Sequence, residues 1–416
     1  MQKRGFGLGI LIVAALLATA VLGAPAASGK ARVIKTLGPE DGTKDSPAVI
    51  AINRKTNRIY VSNVGGGDGT GFGPDVVSVI DGKTDRIVGN VAVDDHPFGL
   101  AVDEKANLVY VANVGGKVPT SFVPLMGGGG TIMVIDGKTN TVREEFDIPP
   151  PPGAHLPNTT APTENGLPAY LAFDPETGYL WVANTGEVGG DEPRTVPGRL
   201  SVYDTKTKRW LKGGADGIPA GITPIHPDID PGLNRVYVTS FDSGIVTVVN
   251  SHTLRTVKRI KVAPEAYGAA IDPRRHRYYI GHADSRAASE TEPLKRFQTV
   301  LEVLDTRTNK LLRPVYAGGF TRNPAVDPRT GRVYVNNLAT GTMTILGPDL
   351  KIRQTVRVDI GPRGIAVNPT TRKIYVGNVS VSMGVIIGGP GIDGLPDTIS
   401  VIRDPIKRRK ARKAAG

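Results

Sequence analysis

The hydrophobic pattern of this chain repeats seven times. Each copy is a short run of β-branched and aromatic residues that ends in an aromatic residue followed by Val or Ile, and Asn usually follows two positions later. The copies lie roughly 40 to 70 residues apart, a period typical of proteins in which each repeat forms one small sheet. The copies span residues 59–63, 109–113, 180–184, 236–240, 278–282, 333–337 and 374–378.

Three further strands are predicted around each copy. An apolar run stopped by Asp or Asn precedes it, as in residues 100–103, which predicts an innermost strand that ends in a turn. A third strand closed by an Asx turn follows, as in residues 77–84, and then a fourth, amphipathic strand, as in residues 86–91. Four antiparallel strands per repeat are typical of one blade of a β-propeller.

The two ends of the chain indicate that the blades close into a ring. The last repeat has its third strand at residues 398–402 and then reaches a basic tail without a fourth strand. A strand of the outer, amphipathic type instead precedes the first repeat, at residues 32–37. Pairing that strand with the last blade removes two open sheet edges. We therefore predict an all-β protein, a closed seven-bladed β-propeller over residues 31–405, in which an N-terminal strand completes the last blade.

The repeated phrase Tyr-Val-x-Asn, with the downstream Val-x-Val-Ile-Asp-x-x-Thr, resembles the YVTN-repeat family of bacterial, exported seven-bladed propellers. The resemblance covers almost all of residues 31–405. It implies the propeller fold, which carries binding proteins, lactonases and redox enzymes alike, so function has to be argued from the site. Because the Asn recurs at symmetric positions, we expect it to satisfy backbone groups at a strand end rather than to contact a ligand.

The first 26 residues predict a secretory signal peptide. Lys3 and Arg4 precede an apolar stretch over residues 6–22, and a small-residue Ala-x-Ala site follows at residues 24–26. The apolar stretch is short for a membrane-spanning helix. Since the chain contains no Cys, disulfides and lipoprotein anchoring are excluded. We expect an exported protein, periplasmic or secreted, that is stabilised by core burial alone.

The positive charge is concentrated near the chain ends. Of the formal net charge of +12, six positive charges lie within residues 407–413 and two at Lys3 and Arg4, which leaves +4 on the propeller. A lone basic tail is typical of a solvated, disordered segment, and we expect this of residues 406–416. The alternative is attraction toward an anionic surface such as lipid head groups. Base-reading motifs are absent from the sequence, so nucleic acid is not an expected partner.

Insertions are confined to one face of the predicted ring. In a blade, the connections between the second and third strands share a face with those between blades, and the remaining turns lie on the opposite face. Long loops on one side of a rigid scaffold usually carry function, so we predict that the loop-bearing face binds the ligand; Gly-rich filler is the alternative. The long segments are residues 64–75, 114–130, 185–199, 283–297 and 379–397 within blades, and 149–167 between blades.

The fourth repeat departs from the others at two positions of its innermost strand. Asp228 stands where six repeats have Ala, and His226 stands where others have Val or Gly. A His-x-Asp pair is suited to binding a metal, to acting as a general base or to holding a ligand amine. Alternatively, the pair marks a bulged strand in which Asp228 pairs with an Arg. Supporting residues are expected where the innermost strands of other repeats begin: His96, Phe98, Tyr267, Arg322 and Arg363.

Three functions remain open. The sequence shows no nucleophile elbow and no haem-attachment Cys, which favours a non-catalytic module that binds a small-molecule or envelope ligand or a protein partner. Tyr267 with Arg322 and Arg363 indicates an anionic or carbohydrate-like ligand. The alternative is a metal-assisted hydrolase, similar to propeller lactonases, with a divalent metal on His226 and Asp228. A redox accessory protein comes third, and no pattern indicates an oligomeric state.

Overall fold

The computed structural model describes residues 30–42, 46–64, 75–114, 130–154, 165–186, 196–282, 298–379 and 396–405. In these segments the strands form seven antiparallel sheets of four or five strands. No helix within the described segments is long and apolar enough to cross a membrane. The signal peptide expected over residues 1–26 and the tail over 406–416 lie outside the described residues, so both stay predictions.

The first three blades follow one another along the chain. Strand β1 (Arg32–Leu37) precedes them. Blade 1 contains β2 (Pro47–Asn53), β3 (Arg58–Asn63), β4 (Val76–Asp81) and β5 (Arg86–Ala92). Blade 2 contains β6 (Pro97–Asp103), β7 (Leu108–Asn113), β8 (Thr131–Asp136) and β9 (Thr141–Asp147). Blade 3 contains β10 (Leu167–Asp174), β11 (Tyr179–Thr185), β12 (Pro197–Asp204), β13 (Arg209–Lys212) and β14 (Ile218–Ile222).

The remaining blades repeat this order. Blade 4 contains β15 (Pro224–Asp230), β16 (Arg235–Ser240), β17 (Ile245–Asn250) and β18 (Thr256–Lys261). Blade 5 contains β19 (Ala266–Asp272), β20 (Arg277–His282), β21 (Gln298–Asp305), β22 (Lys310–Leu311) and β23 (Val315–Gly319). Blade 6 contains β24 (Thr321–Asp327), β25 (Arg332–Asn337), β26 (Thr342–Leu346) and β27 (Ile352–Arg357), and blade 7 contains β28 (Pro362–Asn368), β29 (Lys373–Asn378) and β30 (Thr398–Arg403). Short 3-10 turns occupy Pro39–Asp41, Gly214–Asp216, Pro231–Leu233 and Leu338–Thr340.

Strand β1 completes blade 7, so the predicted ring closure is confirmed. It pairs antiparallel with β30, with Arg32 opposite Arg403 and Leu37 opposite Ile399. The buried Leu37 then packs in a cluster shared by blades 7 and 1, which also contains Tyr375 and Ile59. The ring is held by the same kind of sheet pairing and apolar contact at its seam as elsewhere.

The aromatic residue of the repeated phrase joins neighbouring blades. Tyr60 is fully buried and packs with Val79 of its own blade and with Val109 and Val111 of blade 2. Because each second strand is covered on both faces by adjacent sheets, its residues form a continuous apolar run rather than an alternating one. This explains why the phrase recurs with so little variation.

A buried ion pair and a hydrogen bond join blades 7 and 1 at the seam of the ring. The buried Lys373 donates from Nζ to Asp85 Oδ2 at 2.6 Å, and the Tyr375 hydroxyl donates to Asp85 Oδ1 at 2.8 Å. Burial raises the pKa of the Tyr375 phenol, and the negative charge of Asp85 raises it further. The charges of Lys373 and Asp85 are therefore paired with each other inside the protein, as buried charges require.

The Asn of the phrase has a structural role, as predicted. Asn63 Nδ2 donates to the carbonyls of Val61 and Val76 at 3.0 and 3.2 Å, and to Ser78 Oγ at 3.0 Å. Asn378 makes the equivalent contacts in blade 7. The buried amide thus satisfies backbone groups where the second strand ends.

The sheet pairing defines two faces of the ring. Pro47, where the innermost strand begins, lies opposite Asn63, where the second strand ends, and blade 2 pairs Pro97 with Asn113 in the same way. The innermost strands therefore start on the face that carries the connections between second and third strands, which we name the loop face. The opposite face, which carries short turns such as residues 54–57 and 82–85, we name the turn face.

Candidate functional site

The innermost strands surround the central channel. Each of them contacts the innermost strands of both neighbouring blades, from β2 round to β28 and back to β2. All seven show an irregular register near their second and third residues, as between Pro224 and Pro227 in blade 4. A bulge therefore does not distinguish blade 4, and the explanation for His226 and Asp228 has to be sought in their contacts.

Side chains from five blades meet at the loop-face end of the channel. The guanidinium carbon of Arg322 lies 3.9 Å from the centroid of the Tyr267 ring, and that of Arg363 lies 5.4 Å from the Phe98 ring. Tyr170 and Arg363 hydrogen-bond to the phenol oxygen of Tyr267. We name these five residues the aromatic–arginine cluster. It brings together four residues predicted from the sequence and adds Tyr170.

The two arginines change the acidity of Tyr267. Burial by itself raises the pKa of its phenol, but the charges of Arg322 and Arg363 and the hydrogen bonds from Tyr170 and Arg363 outweigh burial and lower the pKa from 10.0 to about 7. For Tyr170, burial and the neighbouring charge of Tyr267 raise the pKa well above 10.0. Tyr267 is thus the acid and Tyr170 the hydrogen-bond donor of the pair.

A small cavity adjoins the cluster at the loop face. Its volume is about 140 Å³, and Phe98, Tyr170, Ile225 and Tyr267 are among its lining residues. The lining is largely aromatic and aliphatic, with the two phenols as its main polar groups. Such a surface suits a ligand that stacks on rings and accepts or donates a few hydrogen bonds.

His226 and Asp228 pair with each other. His226 Nδ1 lies 2.9 Å from Asp228 Oδ2, and the side chains are 26% and 16% exposed. The ring of His226 also lies 5.0 Å from the ring of Tyr170, centroid to centroid. Tyr278, on the second strand of blade 5, donates from its hydroxyl to the His226 carbonyl at 3.4 Å. Burial and the neighbouring Asp228 carboxylate raise the pKa of the Tyr278 phenol well above 10.0. The partner of Asp228 is therefore His226 rather than the Arg of the alternative interpretation.

The His226–Asp228 pair lines a larger cavity that opens toward the turn face. This cavity measures about 470 Å³ and is bounded by the innermost strands of blades 1 to 4 and the turns that follow three of them. His226 thus lies between two compartments of the channel, with Tyr170 of the cluster on one side and Asp228 on the other. The sequence placed all the candidates at one mouth. The structure places four of them in the aromatic–arginine cluster and two, His226 and Asp228, at the cavity that opens toward the turn face.

The structure describes no metal centre at this pair. Within the described residues, no group of three or more His, Cys, Asp or Glu side chains is arranged to hold a metal ion. Metal binding by His226 and Asp228 stays a prediction from the sequence.

The backbone of His96 helps to fix the turn that precedes the innermost strand of blade 2. It adopts a positive φ of 57°, its amide donates to Asp75 Oδ2 at 2.6 Å, and its carbonyl accepts from the amide of Val114 at 3.1 Å. Ser46, Thr223, Glu265 and Phe320 hold the same position and a positive φ in other blades. His96 therefore marks a repeated joint before the innermost strand, and it lines neither of the two cavities.

Comparison with known proteins supports the fold. No protein-family model matches the sequence, and no curated protein does. Among solved structures, hydrazine synthase of Kuenenia stuttgartiensis is 16% identical, with a TM-score of 0.60 over 88% of this chain and 97% of that one. The WD40 repeats of RRP9 are 8% identical, with a TM-score of 0.59 over 92% and 99% of the two chains, and U3-55K is 8% identical, with a TM-score of 0.60 over 91% and 100%. At these identities the similarity establishes the β-propeller fold of this chain and nothing about its ligand.

Proposed function

We propose that this chain is an exported, non-catalytic binding module of the YVTN-repeat type, which recognises an envelope ligand or a protein partner on its loop face. The observation that carries this proposal is the one-sided length of the connections. Five blades have ten or more residues between the second and third strands, whereas blade 4 makes the same connection with residues 241–244. The short connection of blade 4 is enough to join its second and third strands. The longer connections of those five blades are therefore not needed for the fold, and they support a role in binding.

The aromatic–arginine cluster supports a ligand on the same face. It places two guanidinium groups and two phenols at the loop-face end of the channel, next to a cavity of about 140 Å³. Arginine and tyrosine are the residues that most often dominate binding energy at interfaces. Two guanidinium groups favour a partner that presents an anionic group.

The test is capture of a partner from a solubilised cell-envelope fraction by immobilised protein. In separate variants, residues 115–129 or 380–395 are replaced by the connection of blade 4, and Arg363→Gln alters the cluster. We expect at least one loop replacement and R363Q to reduce retention of the partner by about tenfold or more. The matched control is the double variant Lys83→Ala, Lys138→Ala, which changes two exposed turn-face residues and should retain it.

Two outcomes would contradict the proposal. One is a partner that is retained equally by every loop variant but lost in the turn-face control. The other is turnover of a lactone or ester substrate by the purified protein that is abolished by a chelator, which would make the module an enzyme.

A further inference from the structure

We propose that the cavity of about 470 Å³ at the turn-face end of the channel is a second binding site, for a small apolar molecule that carries an amine, with Asp228 accepting the hydrogen bonds of that amine. This site is separate from the surface proposed above, because it opens on the opposite face. Its existence does not depend on the loop-face function.

The walls of the cavity are mainly apolar. Three innermost strands contribute aliphatic and aromatic side chains, including Ile52 of blade 1, Leu100 of blade 2 and Phe173 of blade 3. The volume lies within the range of pockets that hold small organic molecules, and such pockets combine apolar walls with a few polar groups that fix orientation. The polar group within the channel is here the His226–Asp228 pair.

Asp228 is held in place with capacity to accept further hydrogen bonds. The groups beside it are His226, with Nδ1 2.9 Å from Oδ2, and the phenol of Tyr278, whose hydroxyl donates to the His226 carbonyl. A carboxylate accepts about four hydrogen bonds through its two oxygens, so these two groups do not fill it. The carboxylate is also only 16% exposed, and a charge withdrawn from water gains more from a cationic partner than an exposed one does.

Of the charged groups around the cavity, Asp228 is the one that selects for a ligand with an amine. At the mouth of the cavity, Arg54 and Glu104 form an ion pair between blades 1 and 2, with Nε 2.6 Å from Oε1. Lys55 and Lys105 are exposed, and Asp103 lies beside them. Three cations and three carboxylates, Asp228 included, therefore line the cavity. Glu104 is already paired with Arg54 at the mouth, whereas Asp228 lies inside the channel. Asp228 is therefore the carboxylate placed to bind the amine of a ligand.

The other blades provide the matched variant for a test. Six of them have Ala where blade 4 has Asp228, so Asp228→Ala gives blade 4 the residue that this position accommodates elsewhere. Asp228→Asn is the second variant, because it keeps the shape and removes the charge. Lys83→Ala is the control, because Lys83 is an exposed turn-face residue that does not line the cavity.

The experiment is calorimetric titration of the full chain with two matched series of probes. One series is 2-phenylethylamine, 2-phenylethanol and phenylacetate, and the other is tryptamine, tryptophol and indole-3-acetate. In at least one series we expect the amine to bind about tenfold or more tighter than its alcohol and its acid. We expect D228A and D228N to lose that preference and K83A to keep it.

Three results would overturn the inference. The first is that neither amine binds, or that amines bind no better than the matched alcohols. The second is that the preference for the amine survives in D228A. The third is stoichiometric Zn²⁺ binding to the wild type that D228A abolishes, which would assign the pair to a metal instead.

Discussion

At the scale of single residues, Tyr267 shows how neighbouring charges change the acidity of a buried phenol. A buried tyrosine alone resists ionisation, because its phenolate loses the solvation of water. Here Arg322 stacks on the ring and Arg363 bonds to the phenol oxygen, so the deprotonated form is the one that the site stabilises. A phenolate between two arginines also reduces the positive charge that a ligand at the loop face meets.

The first prediction concerns the titration of Tyr267. We expect the ultraviolet absorbance of the wild type to show one tyrosine ionising near pH 7, because the pKa of this phenol is lowered from 10.0 to about 7. Tyr267→Phe should remove that step and leave the alkaline steps of the other tyrosines. A step near pH 7 that persists in Y267F, or is missing from the wild type, would contradict this assignment.

The same pKa fixes the sign of a stability difference. Between pH 7 and 10 the unfolded chain holds one proton more than the folded chain at this phenol. The stability of the wild type relative to Y267F should therefore rise as the pH increases through this range, and this contribution should be lost as the pH falls through 7. Denaturant midpoints of the two proteins across that range measure it.

Comparison of the repeats identified some positions of the candidate site and missed others. Asp228 was visible because six repeats have Ala at its position, and Tyr267, Arg322 and Arg363 because they begin innermost strands. Tyr170 carried a signal of the same kind, since it replaces the Val or Gly of other repeats at the position of His226. The positive φ of His96 could not be read from its sequence, because non-Gly residues at this joint share no side-chain type.

At the scale of elements, the closing strand β1 behaves like the outer strand of any other blade. Its side chains alternate between the core and solvent, with Leu37 fully buried and Ile34 36% exposed. The alternation and the missing strand of the last repeat together made the pairing predictable. Only the length of the five long connections could be predicted. Four of them contain several Gly residues, which place few constraints on backbone conformation.

The second prediction compares two positions in this strand. Leu37→Ala should lower the free energy of unfolding by about 2–5 kcal/mol, because it leaves a cavity between blades 7 and 1. Ile34→Ala changes the same strand on its solvent side and should cost less than about 1 kcal/mol. Urea denaturation followed by tryptophan fluorescence tests both, and equal midpoints for the two variants would show that β1 does not close the ring.

At the scale of the whole molecule, the net charge separates into a nearly balanced propeller and a basic end. Six of the twelve excess positive charges lie within residues 407–413. Charge of this density attracts anionic surfaces over about a Debye length, roughly 8 Å at physiological salt. The propeller itself lacks a comparable concentration of one sign in its sequence.

The third prediction concerns this tail. Deleting residues 407–416 should leave the melting temperature unchanged, because β30, the last strand of the chain that the structure describes, ends at Arg403. It should also reduce binding to vesicles that contain anionic lipid, whereas binding to neutral vesicles stays weak for both proteins. Vesicle binding that is the same with and without the tail would leave the tail as a solvated segment.

The antiparallel pairing of Arg32 with Arg403 also determines on which face the chain enters and leaves the ring. Strand β30 runs from the loop face to the turn face and β1 runs back, so the chain enters and leaves the ring at one point on the turn face. A support that binds the chain beside Arg32 or Arg403 therefore binds it at the turn face. The loop face, on which the long connections begin and end, then lies on the side of the ring opposite the support.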